Sequence, residues 1–487
     1  MFGRLKRIHF IGVGGVGMSG LAILLHNLGF EVTGSDIKES ETTRKLTASG
    51  IKVAIGHTPE NTQGAEVVVY STAIPQDNPE LQFAQARGMV VIKRAEMLAE
   101  LMRLKFSIAI AGSHGKTTTT SLVTHILFRA GLDPTAVIGG RIVGDDTGAR
   151  LGRSEYLVAE ADESDRSFLL LYPAIAVVTN IEEEHLDFYR NLADLKREFI
   201  KFVNRVPFYG TVILGIDCPA VRQIRAKVKK KVLTYALNQP ADFLAKDLQL
   251  YRFSSAWTLL FNSKEVGRFS LPMPGRHNVS NALAAIAVAT ELGVDFKTIE
   301  QALNTFTGVH RRMEKRGEKH GVIIYDDYGH HPTEVKVTLE ALRTAYPEDR
   351  IIVVFQPHRY TRTKLLAQEF GKSFDQADEV IITRIYPAAK PPIPNVDELL
   401  IVQEIQKNSR PGLIVHHIPE LNQVPDFLKR LTADSRYQKT IILTLGAGSI
   451  THLAEEILKQ MTADSGQPTA DSRREVEAEA KESKPKP

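Results

Sequence analysis

The sequence predicts an α/β protein of three domains, each built on an open and mainly parallel sheet. The chain has 487 residues, too many for one ordinary core. Short apolar runs alternate with helical stretches along most of it, the pattern of parallel strands joined by crossover helices. Two glycine-rich turns, Gly12-Val13-Gly14-Gly15-Val16-Gly17 and Gly112-Ser113-His114-Gly115-Lys116-Thr117, each follow an apolar run and open a helix. A strand that turns on glycines into a helix gathers backbone N–H groups around an anion.

Composition narrows the class. Hydrophobic residues make up 43% and charged residues 24%, ordinary for a globular chain. The net charge of +4 is mild and no basic stripe carries interleaved aromatics, so no nucleic acid partner is expected. No apolar stretch is long enough to span a bilayer and no secretory leader is read, so no membrane is expected either. The single cysteine, Cys218, excludes an internal disulfide and a cysteine-rich zinc site. A cytoplasmic enzyme acting on small anionic molecules is the expectation.

The first domain, 1–105, is expected to be Rossmann-like. Strands are read at 7–11, 31–34, 67–70 and 90–92, and helices at 18–28 and 94–104. Gly12, Gly14 and Gly17 give G-x-G-x-x-G after a strand, and Asp36 follows the second strand. This fits a nucleotide diphosphate at a helix N-terminus, with the carboxylate on a ribose. The motif suits a nicotinamide dinucleotide and a nucleotide sugar equally well, so an NAD-dependent oxidoreductase is one reading.

The second domain, 106–310, is expected to be a P-loop ATPase. Strands are read at 106–111, 156–160, 174–179 and 211–214. Short strand-like pieces between turns fill 229–271, and an alanine-rich helix follows at 281–292. The turn Gly112-Ser113-His114-Gly115-Lys116-Thr117-Thr118 opens a helix at 117–130. It lacks the first glycine of the full phosphate-loop pattern, where Ile110 stands. Its backbone would cradle ATP phosphates, Lys116 would add a charge, and Thr117 a hydroxyl for Mg2+. Two acidic segments follow strands of the same sheet: Glu160-Ala161-Asp162-Glu163-Ser164-Asp165 and Glu182-Glu183-Glu184-His185-Leu186-Asp187. Carboxylate oxygens suit magnesium, and the His185 imidazole is a further candidate ligand. Both segments should lie at the carboxyl edge, where open α/β sheets bind ligands.

The third domain, 311–462, is again expected to be Rossmann-like, with strands at 321–325, 351–355, 379–383 and 440–445 and a helix at 332–345. Asp326-Asp327-Tyr328-Gly329-His330-His331-Pro332-Thr333-Glu334 and Gln356-Pro357-His358-Arg359-Tyr360-Thr361-Arg362 each follow a strand. Pro332 is placed at the first helical turn, where proline is tolerated. The forks of Arg359 and Arg362 match carboxylates and phosphates. Residues 463–487 hold almost no large apolar side chain and are expected to be a disordered tail.

In this order the segments closely resemble the Mur ligase family, from about Ile8 to Leu458. The most selective stretches are 112–120, 160–165, 326–334 and 356–360. The chain is most similar to members that join L-alanine to UDP-N-acetylmuramate with ATP in peptidoglycan precursor synthesis. The resemblance implies that Gly12, Gly14, Gly15, Val16, Gly17, Asp36, Ser71 and Thr72 hold the UDP-sugar. It implies ATP at the phosphate loop, with catalytic Lys116, and Mg2+ at Thr117, Glu160 and His185. Asn278 and Asn281 would lie near the nucleotide base, and Arg312 and Asp327 would reach ATP from the third domain. His330, His358, Arg359 and Arg362 would form the alanine pocket, with His330 also a candidate catalytic base. The partners are then UDP-N-acetylmuramate, L-alanine and ATP, for a monomer or a homodimer. Two departures stand out. Tyr386-Pro387-Ala388-Ala389-Lys390-Pro391 replaces the usual Tyr-Ala-Ala-Gly-Glu, and Ile200 stands where other members carry a carbamylated lysine, so no modified lysine is assigned. A ligase that attaches a preformed L-alanyl peptide, in cell-wall recycling, is the near alternative.

Overall fold

The computed structural model describes residues 5–139, 149–184, 188–388, 390–432 and 439–463. The chain divides into two compact units, one up to His310 and one from Arg311. Three sheets lie within them.

The first sheet contains β1 (Arg7–Ile11), β2 (Glu31–Asp36), β3 (Lys52–Ile55), β4 (Val67–Tyr70) and β5 (Val90–Lys93). They are connected through α1 (Val16–Asn27), α2 (Glu41–Ala48), α3 (Pro79–Ala86) and α4 (Arg94–Arg103). The order is β3-β2-β1-β4-β5 and every pairing is parallel. The chain order reverses at β1, so the glycine turn after β1 occupies the switch point where such sheets bind ligands. The sequence reading missed β3, a four-residue strand in which Lys52 and Ile55 are exposed.

The second sheet belongs to the same unit. Its elements are β6 (Phe106–Ala111), α5 (Lys116–Arg129), β7 (Thr135–Val137), β8 (Ala149–Arg150), β9 (Tyr156–Glu160), β10 (Ile175–Val178), α6 (Leu192–Val203), β11 (Thr211–Gly215) and α7 (Pro219–Arg225). They continue with β12 (Lys231–Ala236), β13 (Phe243–Leu250), β14 (Ser255–Phe261), β15 (Lys264–Leu271), α8 (Arg276–Glu291) and α9 (Phe296–Asn304). β6 lies between β9 and β10 and is parallel to both. These strands are buried on both faces, which is why they read as nearly continuous apolar runs. The changed pattern at 229–271 reflects the antiparallel meander β13-β14-β15. α8 begins five residues before the expected 281, because Gly275 (φ +97°) ends the turn and helix follows at once. Ala282, Ala284, Ala285, Ala287 and Ala289 of α8 are fully buried, and α8 packs against α5.

The second unit holds β16 (Glu314–Lys319), β17 (Val322–Asp327), α10 (Pro332–Ala345), β18 (Arg350–Phe355), α11 (Tyr360–Phe370), β19 (Glu379–Ile382), α12 (Leu399–Asn408), β20 (Ile414–His417), α13 (Val424–Thr432), β21 (Thr440–Leu445) and α14 (Leu453–Ala463). The order is β16-β17-β21-β18-β19-β20, antiparallel only at the β16 edge. Because β21 lies between β17 and β18, the segments that leave these three strands share one edge. Among the described residues no helix is long and apolar enough to cross a membrane. Of the expected tail, residues 464–487 lie outside the described residues.

The alanines of α8 admit no larger side chain without repacking. Ala285→Leu should destabilise the protein by about 1–3 kcal/mol, read as a lowered unfolding midpoint in denaturant. An unchanged midpoint would mean that the helix is not close-packed.

Candidate active site

The spacing of the phosphate loop follows from its neighbours. Gly112 has φ +135° and Gly115 has φ +83°. A Cβ on Gly112 would collide with Thr179 Oγ1, and one on Gly115 with Asn281 Oδ1. The segment leaving β10 stitches the loop in place. The His114 N–H donates to Asn180 Oδ1 (2.8 Å), while Asn180 Nδ2 (3.1 Å) and Thr179 Oγ1 (2.7 Å) donate to the His114 carbonyl. The Glu182 N–H donates to Ser113 Oγ at 2.9 Å. Ile110 is a fully buried residue of β6, so the loop starts only after Ala111.

Lys116 is the best-held side chain of the loop. Its Nζ donates to the carbonyls of Gly112 (2.5 Å) and Ser113 (3.2 Å) and to Glu163 Oε1 (2.8 Å). Burial works against its charge, but Glu163, Asp162 and Glu184 outweigh burial and hold the ammonium proton above the usual lysine range. Lys116 is therefore a permanent cation. The four carboxylates of 160–165 do not act as one cluster. Glu163 is fully buried and turns to Lys116. Glu160 Oε1 accepts from the Gly139 N–H (2.7 Å), and Asp165 Oδ1 from the Ser167 N–H (2.9 Å). Thr117 is the second residue of α5 and Glu160 the last of β9, the strand beside β6. A hydroxyl and a carboxylate are donors that a hard dication takes. His185 lies outside the described residues. Asn281 Oδ1 accepts from Thr119 Oγ1 (3.3 Å), so Asn281 lies against the phosphate loop, while Asn278 Nδ2 donates to the Pro274 carbonyl (2.7 Å). Thr118 is buried on the first turn of α5.

In the first sheet, the N–H groups of Gly12 and Val13 donate to the Ser35 carbonyl (2.8 and 2.9 Å), and Gly14 N–H donates to Asp36 Oδ2 (2.9 Å). Asp36 thus shapes the glycine turn itself. Gly15 caps α1, which starts at Val16 and has no acidic residue in its first turn. Ser71 and Thr72 follow β4, next to β1, and Ile74 of the same turn packs beside Gly12. One residue here escaped the sequence reading. The stem of Arg94 runs beside Gly17, and its Nη2 lies 3.9 Å from Asp162 Oδ2. Arg94 therefore stands between the glycine turn and the acidic segment of the second sheet. No local motif flags it, because it opens a helix well away from both.

In the second unit, the two carboxylate oxygens of Asp327 accept from the N–H groups of Gly329 (2.7 Å) and Met313 (2.8 Å). Burial pushes its carboxyl up to about 6, against the opposing pull of Arg312 and these two N–H groups. Arg312 also lies 3.7 Å from Glu334 and, with Arg311, against the Tyr328 ring. Asp326 takes Arg311 Nε at 2.9 Å. The two histidines are held differently. His330 Nδ1 is 3.0 Å from the Tyr328 carbonyl, so Nδ1 carries hydrogen. His358 Nδ1 is 3.1 Å from Arg362 Nη1, a donor only, so Nδ1 accepts and Nε2 carries hydrogen. Burial, then the charges of His330, Arg362 and Arg359, push the His358 imidazolium down to about 2, so this ring stays neutral. The His330 and His358 rings are 5.5 Å apart, and His358 stacks on Tyr386 at 5.6 Å. Arg359 has φ +69°, a conformation that costs a non-glycine residue about 1–3 kcal/mol. Its N–H is held by the Tyr386 carbonyl at 2.8 Å. The altered 386–391 segment therefore keeps a wall of this site through Tyr386; Ala389 lies outside the described residues.

The raised Asp327 carboxyl has a consequence for stability. Folding favours its neutral form, so its contribution is intact below about pH 4 and is lost as pH rises through about 6. The melting temperature of Asp327→Asn minus that of the parent should rise between pH 4 and pH 7. A difference that stays constant across this interval would contradict the assignment.

Comparison with known proteins gives the family. The Mur ligase family catalytic domain matches residues 7–106, the Mur ligase middle domain 110–289, and the Mur ligase glutamate ligase domain 311–448. A UDP-N-acetylmuramate–L-alanine ligase of Geobacter sp. is 48% identical over 95% of this chain and 99% of its own length. One from Syntrophobacter fumaroxidans is 48% identical over 96% and 98%. The crystal structure of the UDP-N-acetylmuramate-alanine ligase of Thermotoga maritima superposes with a TM-score of 0.80 at 27% identity, covering 95% of this chain and all of that one. With the three family models matched in order over most of residues 7–448, and relatives 48% identical over nearly its whole length, the chain belongs to the Mur ligase family.

Proposed function

We propose that this chain joins L-alanine to the lactyl carboxylate of UDP-N-acetylmuramate, using ATP and passing through an acyl phosphate, in the cytoplasmic synthesis of peptidoglycan precursors. The likeness to ligases named for that reaction, at 48% identity over 95% of the chain, carries this reading. Family membership sets aside the NAD-dependent reading of the first glycine turn. In this proposal residues 1–105 take the UDP-sugar, 106–310 take ATP and 311–462 take alanine.

A carboxylate is a poor electrophile because its charge repels a nucleophile. Its attack on the γ-phosphorus of ATP forms an acyl phosphate and releases ADP. The alanine amine then attacks the acyl carbon and expels phosphate. The N–H groups at the start of α5 hold the triphosphate, and Lys116, fixed as a cation, offsets charge on the transferring group. Thr117 and Glu160 fit a magnesium ion by donor type, joined by His185 in the family pattern. Bound there, the ion would offset the repulsion between the two anionic reactants. Asn281 and Asn278, with Arg312 and Asp327, are assigned to ATP. Gly12, Gly14, Gly15, Val16 and Gly17 take the diphosphate at the start of α1, with Asp36, Ser71 and Thr72 around it. Arg359 and Arg362 grip the alanine carboxylate. His330 takes a proton from the ammonium at Nε2, and His358 donates its Nε2–H to an anionic oxygen. A pocket for one methyl group discriminates against glycine by only about 1–3 kcal/mol.

Lys116→Ala should abolish alanine-dependent phosphate release; near-normal turnover would remove Lys116 from the chemistry. Arg359→Ala should raise the KM for alanine far more than that for ATP or the sugar nucleotide. An equal rise for all three would place Arg359 elsewhere. L-Alanine should support faster phosphate release than an L-alanyl tripeptide, and the reverse order would make this a peptide-recycling ligase.

A further inference from the structure

Beneath the first glycine turn lies a buried polar network that the mechanism above does not use. Glu80 is fully buried on the first turn of α3. Its Oε2 accepts from Ser35 Oγ (2.6 Å) and lies 3.3 Å from His9 Nε2. Its Oε1 accepts from Asn61 Nδ2 (2.6 Å) and lies 3.5 Å from His57 Nδ1. Burial favours the neutral acid, but the bonds from His9, Ser35 and Asn61 outweigh it and keep the carboxyl below its ordinary range. Glu80 is therefore an anion with donors on both oxygens. One carboxylate thus gathers β1, β2, the turn after β3 and α3.

The placement of Ser35 makes this more than core cohesion. Its side chain is held by Glu80, and its carbonyl takes the N–H groups of Gly12 and Val13. The next residue, Asp36, takes the Gly14 N–H. The three N–H groups that define the glycine turn therefore bond to two consecutive residues at the end of β2. Apolar side chains of similar volume would stabilise a core at least as well as a buried ion does. What the ion adds is direction, because each short bond fixes one segment against the others.

We infer that Glu80 is a positioning residue for the sugar nucleotide: through Ser35 it sets the end of β2, and with it the glycine turn and Asp36. This rests on the reading of that turn as the UDP-sugar site. Glu80→Gln keeps the shape but cannot accept a hydrogen bond on its amide nitrogen. In the full chain, Glu80→Gln should raise the KM for UDP-N-acetylmuramate and the Kd for UDP about tenfold. The KM values for ATP and alanine, and kcat, should stay within about twofold, a split that general loosening of the fold would not give. Ser35→Ala removes one arm only and should move the same two constants in the same direction; it serves if Glu80→Gln fails to fold. Asp36→Ala, which removes the acceptor for the Gly14 N–H, separates the two readings. If Asp36→Ala weakens UDP binding while Glu80→Gln and Ser35→Ala leave it unchanged, Glu80 is not a positioning residue. If Asp36→Ala itself leaves UDP binding unchanged, the turn is not the nucleotide site and the inference falls with it.

Discussion

The contact between Lys116 and Glu163 is the interaction on which the rest of the candidate site depends. Burial lowers the proton affinity of an ammonium placed among backbone carbonyls unless an anion stands beside it. Glu163 supplies that anion at 2.8 Å from a fully buried position. The pair keeps the loop charged and folded around itself. It also sets a condition on the ligand, since a triphosphate must compete with a carboxylate and two carbonyls for the same three N–H donors. Only a ligand of high negative charge density does so at modest cost.

The sheets decide which groups meet. In the second sheet β6 is flanked by β9 and β10, so the segments leaving those strands, 160–165 and 179–182, border the phosphate loop. In the second unit β21 lies between β17 and β18, so the two aspartates, the His330 turn and the His358–Arg359 turn share an edge. In each sheet, groups far apart in the chain are brought together by strand order alone. Their electrostatics then separate by role. Lys116 is held charged, Asp327 is pushed towards neutrality, and His358 is fixed as a neutral donor.

Much of this was legible in the sequence, for a physical reason. Strands buried on both faces, such as β6 and β10, are almost wholly apolar, and their ends are marked by the motifs they carry. β3 was missed although its burial matches that of β5, which was read. The candidate residues were found where chemistry and spacing coincide in one short segment. What escaped depends on pairings between distant segments. Four carboxylates at 160–165 look alike in sequence, and only the fold shows that Glu163 faces Lys116. Arg94 and Glu80 lie at helix starts with no motif around them, yet one reaches Asp162 and the other Ser35. The hydrogen on His330 Nδ1 and the lone pair on His358 Nδ1 follow from a carbonyl and a guanidinium that folding alone places beside them.

The central claim is that ATP activates a carboxylate by phosphorylating it. It is tested most directly with UDP-N-acetylmuramate carrying 18O in its lactyl carboxylate, supplied with ATP and L-alanine. An acyl phosphate requires that each turnover leave one labelled oxygen in the released phosphate, detectable by mass spectrometry. Phosphate released without label, while the amide is formed, would contradict the account.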